Sequence, residues 1–97
     1  MLRKTFKATL SNRRFRFRQQ KTLPELYAEV DVDKGWCSVD PIINDRSQEF
    51  QAELLIHEAL HVLAPEWKEL RVLNVGKDLA RLLVTAGLIN GSKKKKV

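Results

Sequence analysis

An α+β domain is what this 97-residue sequence predicts: a small, mainly antiparallel sheet of three or four strands packed against two helices. Three observations carry that expectation. Apolar and polar residues alternate with period two through the N-terminal half. An apolar run over residues 52–64 then ends at Pro65, which cannot continue a helix. A second helical pattern follows directly and stops at Gly87, the residue type suited to a left-handed helix end. The length allows one domain, placed at residues 1–90, with a basic tail at 91–97.

Taken in order, Phe6, Ala8 and Leu10 alternate along residues 5–10 and make a first strand, with Ser11-Asn12 turning the chain. Residues 14–18 alternate Arg14, Arg16 and Arg18 with Phe15 and Phe17, so the aromatics point inward and the arginines outward. Thr22-Leu23-Pro24-Glu25 reads as a connection with one helical turn after the proline. Residues 27–32 place Ala28, Val30 and Val32 on one side and Glu29 and Asp31 on the other. Pairing of this strand with the arginine strand would set carboxylates opposite guanidiniums. Asp33-Lys34-Gly35 forms a tight turn into a strand at residues 36–39, closed by Asp40-Pro41. The first helix begins near Asp45 or Ser47, with Asp45 and Gln48 spaced as a capping box, and runs to Ala64. The second spans about residues 66–86, with an apolar stripe of Val72, Val75, Leu79, Leu82 and Leu83. Gly76 lies on that stripe and allows a neighbouring backbone to come close, and Leu88 is placed to pack on the helix end.

Composition narrows the classes. Hydrophobic residues at 43% and charged residues at 31% fit an ordinary globular chain, and no stretch has the length of a membrane span or of a signal peptide's apolar segment. The lone Cys37 excludes an internal disulfide and suits a reducing, cytoplasmic setting, with a strand position as its role. The net charge of +6 points toward nucleic acid, but four of the eighteen basic residues are the lysines at 93–96. Without them fourteen cations face twelve anions. A disordered, solubilising tail accounts for those lysines. In the arginine strand, period two separates cations from phenylalanines, whereas a single-stranded nucleic-acid site needs both on one face.

The chemistry concentrates in His57-Glu58-Ala59-Leu60-His61, which holds both histidines of the chain. On a helix this H-E-x-x-H spacing puts two imidazoles one turn apart on the same face, the geometry in which two neutral nitrogens hold zinc. Glu58 is placed off that face, where it can take a proton from a zinc-bound water. The surrounding helix is apolar nearly all round, so two imidazoles and a carboxylate within it require partners. A metal satisfies both imidazoles at once. The third ligand lies among Glu66, Glu69 and Asp78. With about 100° per residue, Glu69 falls at the border of the expected stripe and Asp78 on the polar face. Glu66 sits in the turn after Pro65. Glu69 is therefore the preferred ligand, ahead of Glu66 and then Asp78.

The residues Leu55-Ile56-His57-Glu58-Ala59-Leu60-His61, with Pro65, Glu69 and the run Lys77-Asp78-Leu79-Ala80-Arg81-Leu82-Leu83, resemble the small zincin-type metallopeptidases. Single-domain minigluzincins and short phage-encoded HExxH proteins are the nearest groups, and the resemblance covers about residues 27–88. It implies zinc on His57, His61 and Glu69, with Glu58 as general base in peptide hydrolysis. It also implies a short sheet above the active-site helix, whose edge strand, here residues 36–39, aligns an extended peptide. Larger relatives add a His or Tyr that stabilises the oxyanion. This chain has no third histidine and its single Tyr27 lies early in a strand, a departure that implies weak or latent turnover. The expected protein is a monomer acting on peptide or unfolded protein, away from membranes. A zinc-stabilised binding module, contacting nucleic acid through residues 13–18 and the lysine tail, is the alternative.

Overall fold

The structure is a computed structural model that describes residues 2–22 and 27–91. Four strands and two helices form an α+β domain: β1 (Thr5–Leu10), β2 (Arg13–Gln19), β3 (Ala28–Asp31), β4 (Trp36–Val39), α1 (Gln48–Leu63) and α2 (Glu69–Thr85). The expected connection around residues 22–25 and the lysine tail lie largely outside the described residues. No helix among the described residues is long and apolar enough to cross a membrane.

β1 and β2 form an antiparallel hairpin in which Phe6 faces Phe17 and Lys7 faces Arg16. Its two-residue loop has positive φ at Ser11 (54°) and Asn12 (64°), the mirror-image turn whose twist matches paired strands. The Phe6 and Phe17 rings stack 4.7 Å apart. Phe15 and Phe17 enter the core with Ala28, Cys37, Val39 and Ile43, against which Phe50, Leu54, Leu55 and Val62 of α1 pack. Burial raises the Cys37 thiol to about 12, with the Glu58 charge adding to the effect, so this cysteine is a core residue and no nucleophile.

The sheet is mixed, with strand order β1-β2-β4-β3. The arginine strand β2 does not pair with β3, as alternation alone suggests; it pairs in parallel with β4, and β3 pairs antiparallel with the far side of β4. Composition explains the exchange. β4 carries no charged residue, and Cys37, Ser38 and Val39 are all buried, which an interior strand requires. β3 carries Glu29 and Asp31 outward, and a short charged strand is suited to an open edge. The ladder of arginines against carboxylates is consequently absent, because β4 stands between them.

Asp31, Lys34 and Gly35 close the β3–β4 hairpin: the Asp31 carbonyl accepts from the Gly35 amide at 2.9 Å, and Gly35 has φ of +74°. After β4, Asp40 caps a 3₁₀ turn (Pro41–Asp45) by accepting from the Ile42 amide at 3.0 Å. Backbone hydrogen bonds from Ile42 and Thr22 hold its carboxyl below the usual range. Asp45 belongs to this turn and caps nothing. Ser47 is the N-cap of α1, its hydroxyl accepting from the Phe50 amide at 3.1 Å.

The two helices are antiparallel. Glu49 in the first turn of α1 meets Arg81 near the end of α2 at 2.8 Å, while the other end of α1 meets the start of α2. α2 begins at Glu69, three residues later than Pro65 alone suggests, since residues 65–67 form a turn. Its buried residues are Val72, Gly76 and Ala80; Leu79 and Leu82 of the expected stripe are exposed. The helix prefers to present small residues because its axis comes close to α1. A Cβ built on Gly76 would lie 3.7 Å from the Glu53 carbonyl oxygen and 3.8 Å from the His57 amide nitrogen. The C-terminus closes at Gly87 (φ +81°), with the Leu88 amide donating to the Leu83 carbonyl at 3.0 Å, but the Leu88 side chain remains exposed.

That spacing yields an expected result. Gly76→Ala places its methyl at ordinary contact distance and gains helix propensity, so it should be neutral or stabilising by up to about 1 kcal/mol. Gly76→Leu overfills the same gap and should cost about 1–3 kcal/mol. Thermal melts of the two variants check the sign of each.

Candidate metal centre

α1 carries the H-E-x-x-H pentapeptide in its last two turns. The i, i+4 spacing brings the His57 and His61 rings to 4.9 Å between centroids, with their planes 69° apart. α2 supplies the third group. Glu69 is its first residue, and a 100° step places Val72 near 300°, Gly76 near 340° and Ala80 near 20° from it. Glu69 therefore continues the middle of the face that packs on α1, rather than its border. The close approach at Gly76 sets the distance across which its carboxylate reaches.

The reach is short. Glu69 Oε2 lies 2.9 Å from His57 Nε2, and Glu69 Oε1 lies 3.1 Å from His61 Nε2. All three ligand-type atoms fall within 4.8 Å of one another, and this is the group of three or more such residues found among the described residues. Two ligands held 2.0–2.1 Å from a tetrahedral zinc are themselves roughly 3.3 Å apart, a separation that a spread within 4.8 Å allows. Two imidazoles and one carboxylate also form one of the donor sets found at catalytic zinc. The residues present fit such an ion. Glu66 and Asp78, the other candidates, are exposed and lie outside this group.

Access to the site is graded. The Glu69 side chain is 67% exposed, His61 32% and His57 15%. As a plain surface ion pair, so exposed a carboxylate would contribute little.

Glu58 points elsewhere. It is turned about 100° from His57, toward the sheet, and is the one buried residue of α1, in a helix otherwise rich in leucine. Its carboxylate has no hydrogen-bond partner among the described residues, and burial raises its pKa, an effect the neighbouring His57 and His61 oppose. It lines a depression of about 250 Å³ together with Tyr27, Ala28, Leu54, His57 and Leu73. The floor of this cleft is α1, and one wall is β3. Trp36–Val39, expected as the edge beside the cleft, is interior; β3 takes that place.

Tyr27, the one tyrosine, also borders the cleft, which its place in the sequence does not reveal. Its ring meets Phe50 edge-on at 5.5 Å and its hydroxyl accepts from Arg46 at 2.8 Å. Phe50 is two turns before His57 on α1, so the hydroxyl is held toward the far end of the cleft from the imidazoles. The cleft thus holds Glu58 and His57, with His61 and Glu69 outside its lining, and the chain has no third His to place beside them.

Comparison with protein-family models, with curated proteins and with solved structures gives no match.

Proposed function

We propose that this protein is a zinc-dependent metallopeptidase of low or latent activity, acting on extended peptide or unfolded protein. The observation that carries the reading is Glu58: a carboxylate on a residue only 8% exposed that opens on the same cleft as His57 and bonds to no described residue. Burying such a group is costly, and a binding-only module stabilised by zinc has no use for it. A general base opening on the cleft beside a metal has such a use.

His57 Nε2, His61 Nε2 and a Glu69 oxygen would hold the ion. When bound, zinc would polarise the scissile carbonyl and lower the pKa of a water it holds to about 7. Glu58 takes one proton from the attacking water as its oxygen bonds to the carbonyl carbon. The same carboxyl then returns that proton to the amide nitrogen as the C–N bond breaks. Among the described residues β3 pairs on one side only, so its free edge is the one that would align an extended substrate in the cleft. The absence of a His or Tyr near the imidazoles is the reason for expecting slow turnover, since an oxyanion donor is commonly worth about 10²–10³ in rate. A lone buried thiol suits a reducing, cytoplasmic setting.

Two measurements test the proposal. Purified protein incubated with a disordered substrate should show cleavage that a chelator stops and added zinc restores; chelator-resistant cleavage would overturn it. Zinc titrations should then separate the ligands. Glu69→Gln is expected to weaken binding well beyond the tenfold or so typical of a group that merely supports a ligand. Glu66→Gln and Asp78→Asn should bind as wild type.

A further inference from the structure

The outer face of the sheet, opposite the helices, gathers groups that the cleft does not use. Register fixes its membership: Lys7 faces Arg16, Thr5 faces Arg18 and Thr9 faces Arg14 across β1–β2. Arg16 faces Trp36 and Arg18 faces Ser38 across β2–β4. Period two had separated the arginines from Phe15 and Phe17. The parallel pairing with β4 instead delivers a different aromatic, Trp36, to the arginine side.

The guanidinium of Arg18 lies 3.9 Å from the Trp36 ring centroid and that of Arg16 lies 5.2 Å away. Arg18 also donates from Nε to the Ser38 hydroxyl at 3.1 Å. Among the described residues, Lys7, Arg14, Arg16 and Arg18 make no ion pair with a carboxylate. The nearest anions on this face, Glu29 and Asp31, belong to β3, with β4 intervening. Arg18 reaches over Trp36 and shares with Glu29, Asp31 and Asp33 a depression of about 570 Å³, so the cations clear of these carboxylates are Lys7, Arg14 and Arg16 on the β1–β2 side. A depression of about 250 Å³ lies beside Trp36 on the cationic side, lined by Thr5, Lys7, Arg16 and Arg18 among others.

We infer that this face binds single-stranded nucleic acid, with a base stacked on the Trp36–Arg18 pair and the backbone phosphates on Lys7, Arg14 and Arg16. The chemistry favours that partner over other polyanions. Successive cations stand two residues apart along β2, about 6.6–6.8 Å, a row suited to an extended backbone. A base can stack on the Trp36–Arg18 pair, in which the guanidinium lies over the indole, whereas a lipid headgroup has no planar ring to place there. A flat four-stranded sheet does not enter a duplex groove, which admits a helix or a two-stranded ribbon. The inference stands apart from the metal centre, which is on the other side of the sheet.

The test uses the full chain with Trp67→Phe, which leaves Trp36 as the only tryptophan. A short oligothymidylate should quench its fluorescence. With three phosphate contacts, log K should fall with log[salt] at a slope of about −2. Trp36→Leu, followed by the anisotropy of a labelled oligonucleotide, should weaken binding roughly five- to a hundred-fold. Because Trp36 is half-buried and its loss can disturb folding, the exposed double variant Lys7→Gln/Arg16→Gln provides a second measurement. It should keep the wild-type melt and lower the salt slope by about 1.4. Binding without quenching, or binding that both variants leave intact, would place the contact elsewhere on the chain and overturn the inference. Tighter binding of a duplex, or quenching by anionic vesicles but not by the oligonucleotide, would overturn it equally.

Discussion

Glu58→Gln should reduce peptide cleavage by about 10²–10⁴, the span expected for a general base, while leaving one zinc per chain. The substitution removes the proton acceptor and touches none of the three ligands. The effect on stability should have the opposite sign from an ordinary core replacement. Glu58 is buried with no hydrogen-bond partner among the described residues, so its ionised form is a burden on the fold. An amide of the same size carries no charge, and the variant should melt at or above the wild-type temperature. Activity lost while stability is kept is the pattern of a group retained for function. Equal cleavage by both proteins would identify a contaminating protease, and a large loss of stability would make Glu58 a structural residue. Either result ends the peptidase reading.

Zinc removal is expected to produce the largest change in stability. The three ligand atoms converge only in the folded chain, because Glu69 comes from a different helix than the histidines. An ion that binds the folded form alone adds about 2.7 kcal/mol when present at a hundred times its dissociation constant. In a domain of this size each kcal/mol moves the melting temperature by about 4–8 °C. A chelator should therefore lower the midpoint by roughly 10–20 °C. His61→Ala is the cleaner variant, since the His57 side chain is the less exposed of the two, 15% against 32%, and also lines the cleft. Chelated wild type and chelated His61→Ala should melt close together, and zinc should shift only the wild type. A calorimetric scan in which zinc raises both equally would place the ion elsewhere.

Much of this is legible in the residues because it is local. Alternation fixes which side of β2 is apolar, Asn12 and Gly35 mark turns that need positive φ, and Pro65 and Gly87 mark helix ends. The i, i+4 histidines share a helical face wherever that helix packs, so their pairing needs no tertiary information. Glu58 off that face follows from the same geometry.

The sequence by itself determined the element types, the inward and outward faces of each strand, and the pairing of two imidazoles on one helix face with Glu58 turned off it. What it could not decide is which surfaces meet. β4 lies between β2 and β3 because an uncharged strand tolerates a neighbour on each edge and Glu29 and Asp31 suit an open edge; local periodicity is the same in either arrangement. The buried face of α2 runs through Val72, Gly76 and Ala80 because two helix axes can come close only where side chains are small, although a count of hydrophobic residues favours the leucines. That contact moves Glu69 from the border of a stripe to the centre of a face and brings its carboxylate within 3.1 Å of both imidazoles. Likewise the parallel register of β4 on β2, a long-range choice, places Trp36 among the arginines. Periodicity specifies the face of each element, and close packing between elements specifies the partner of that face.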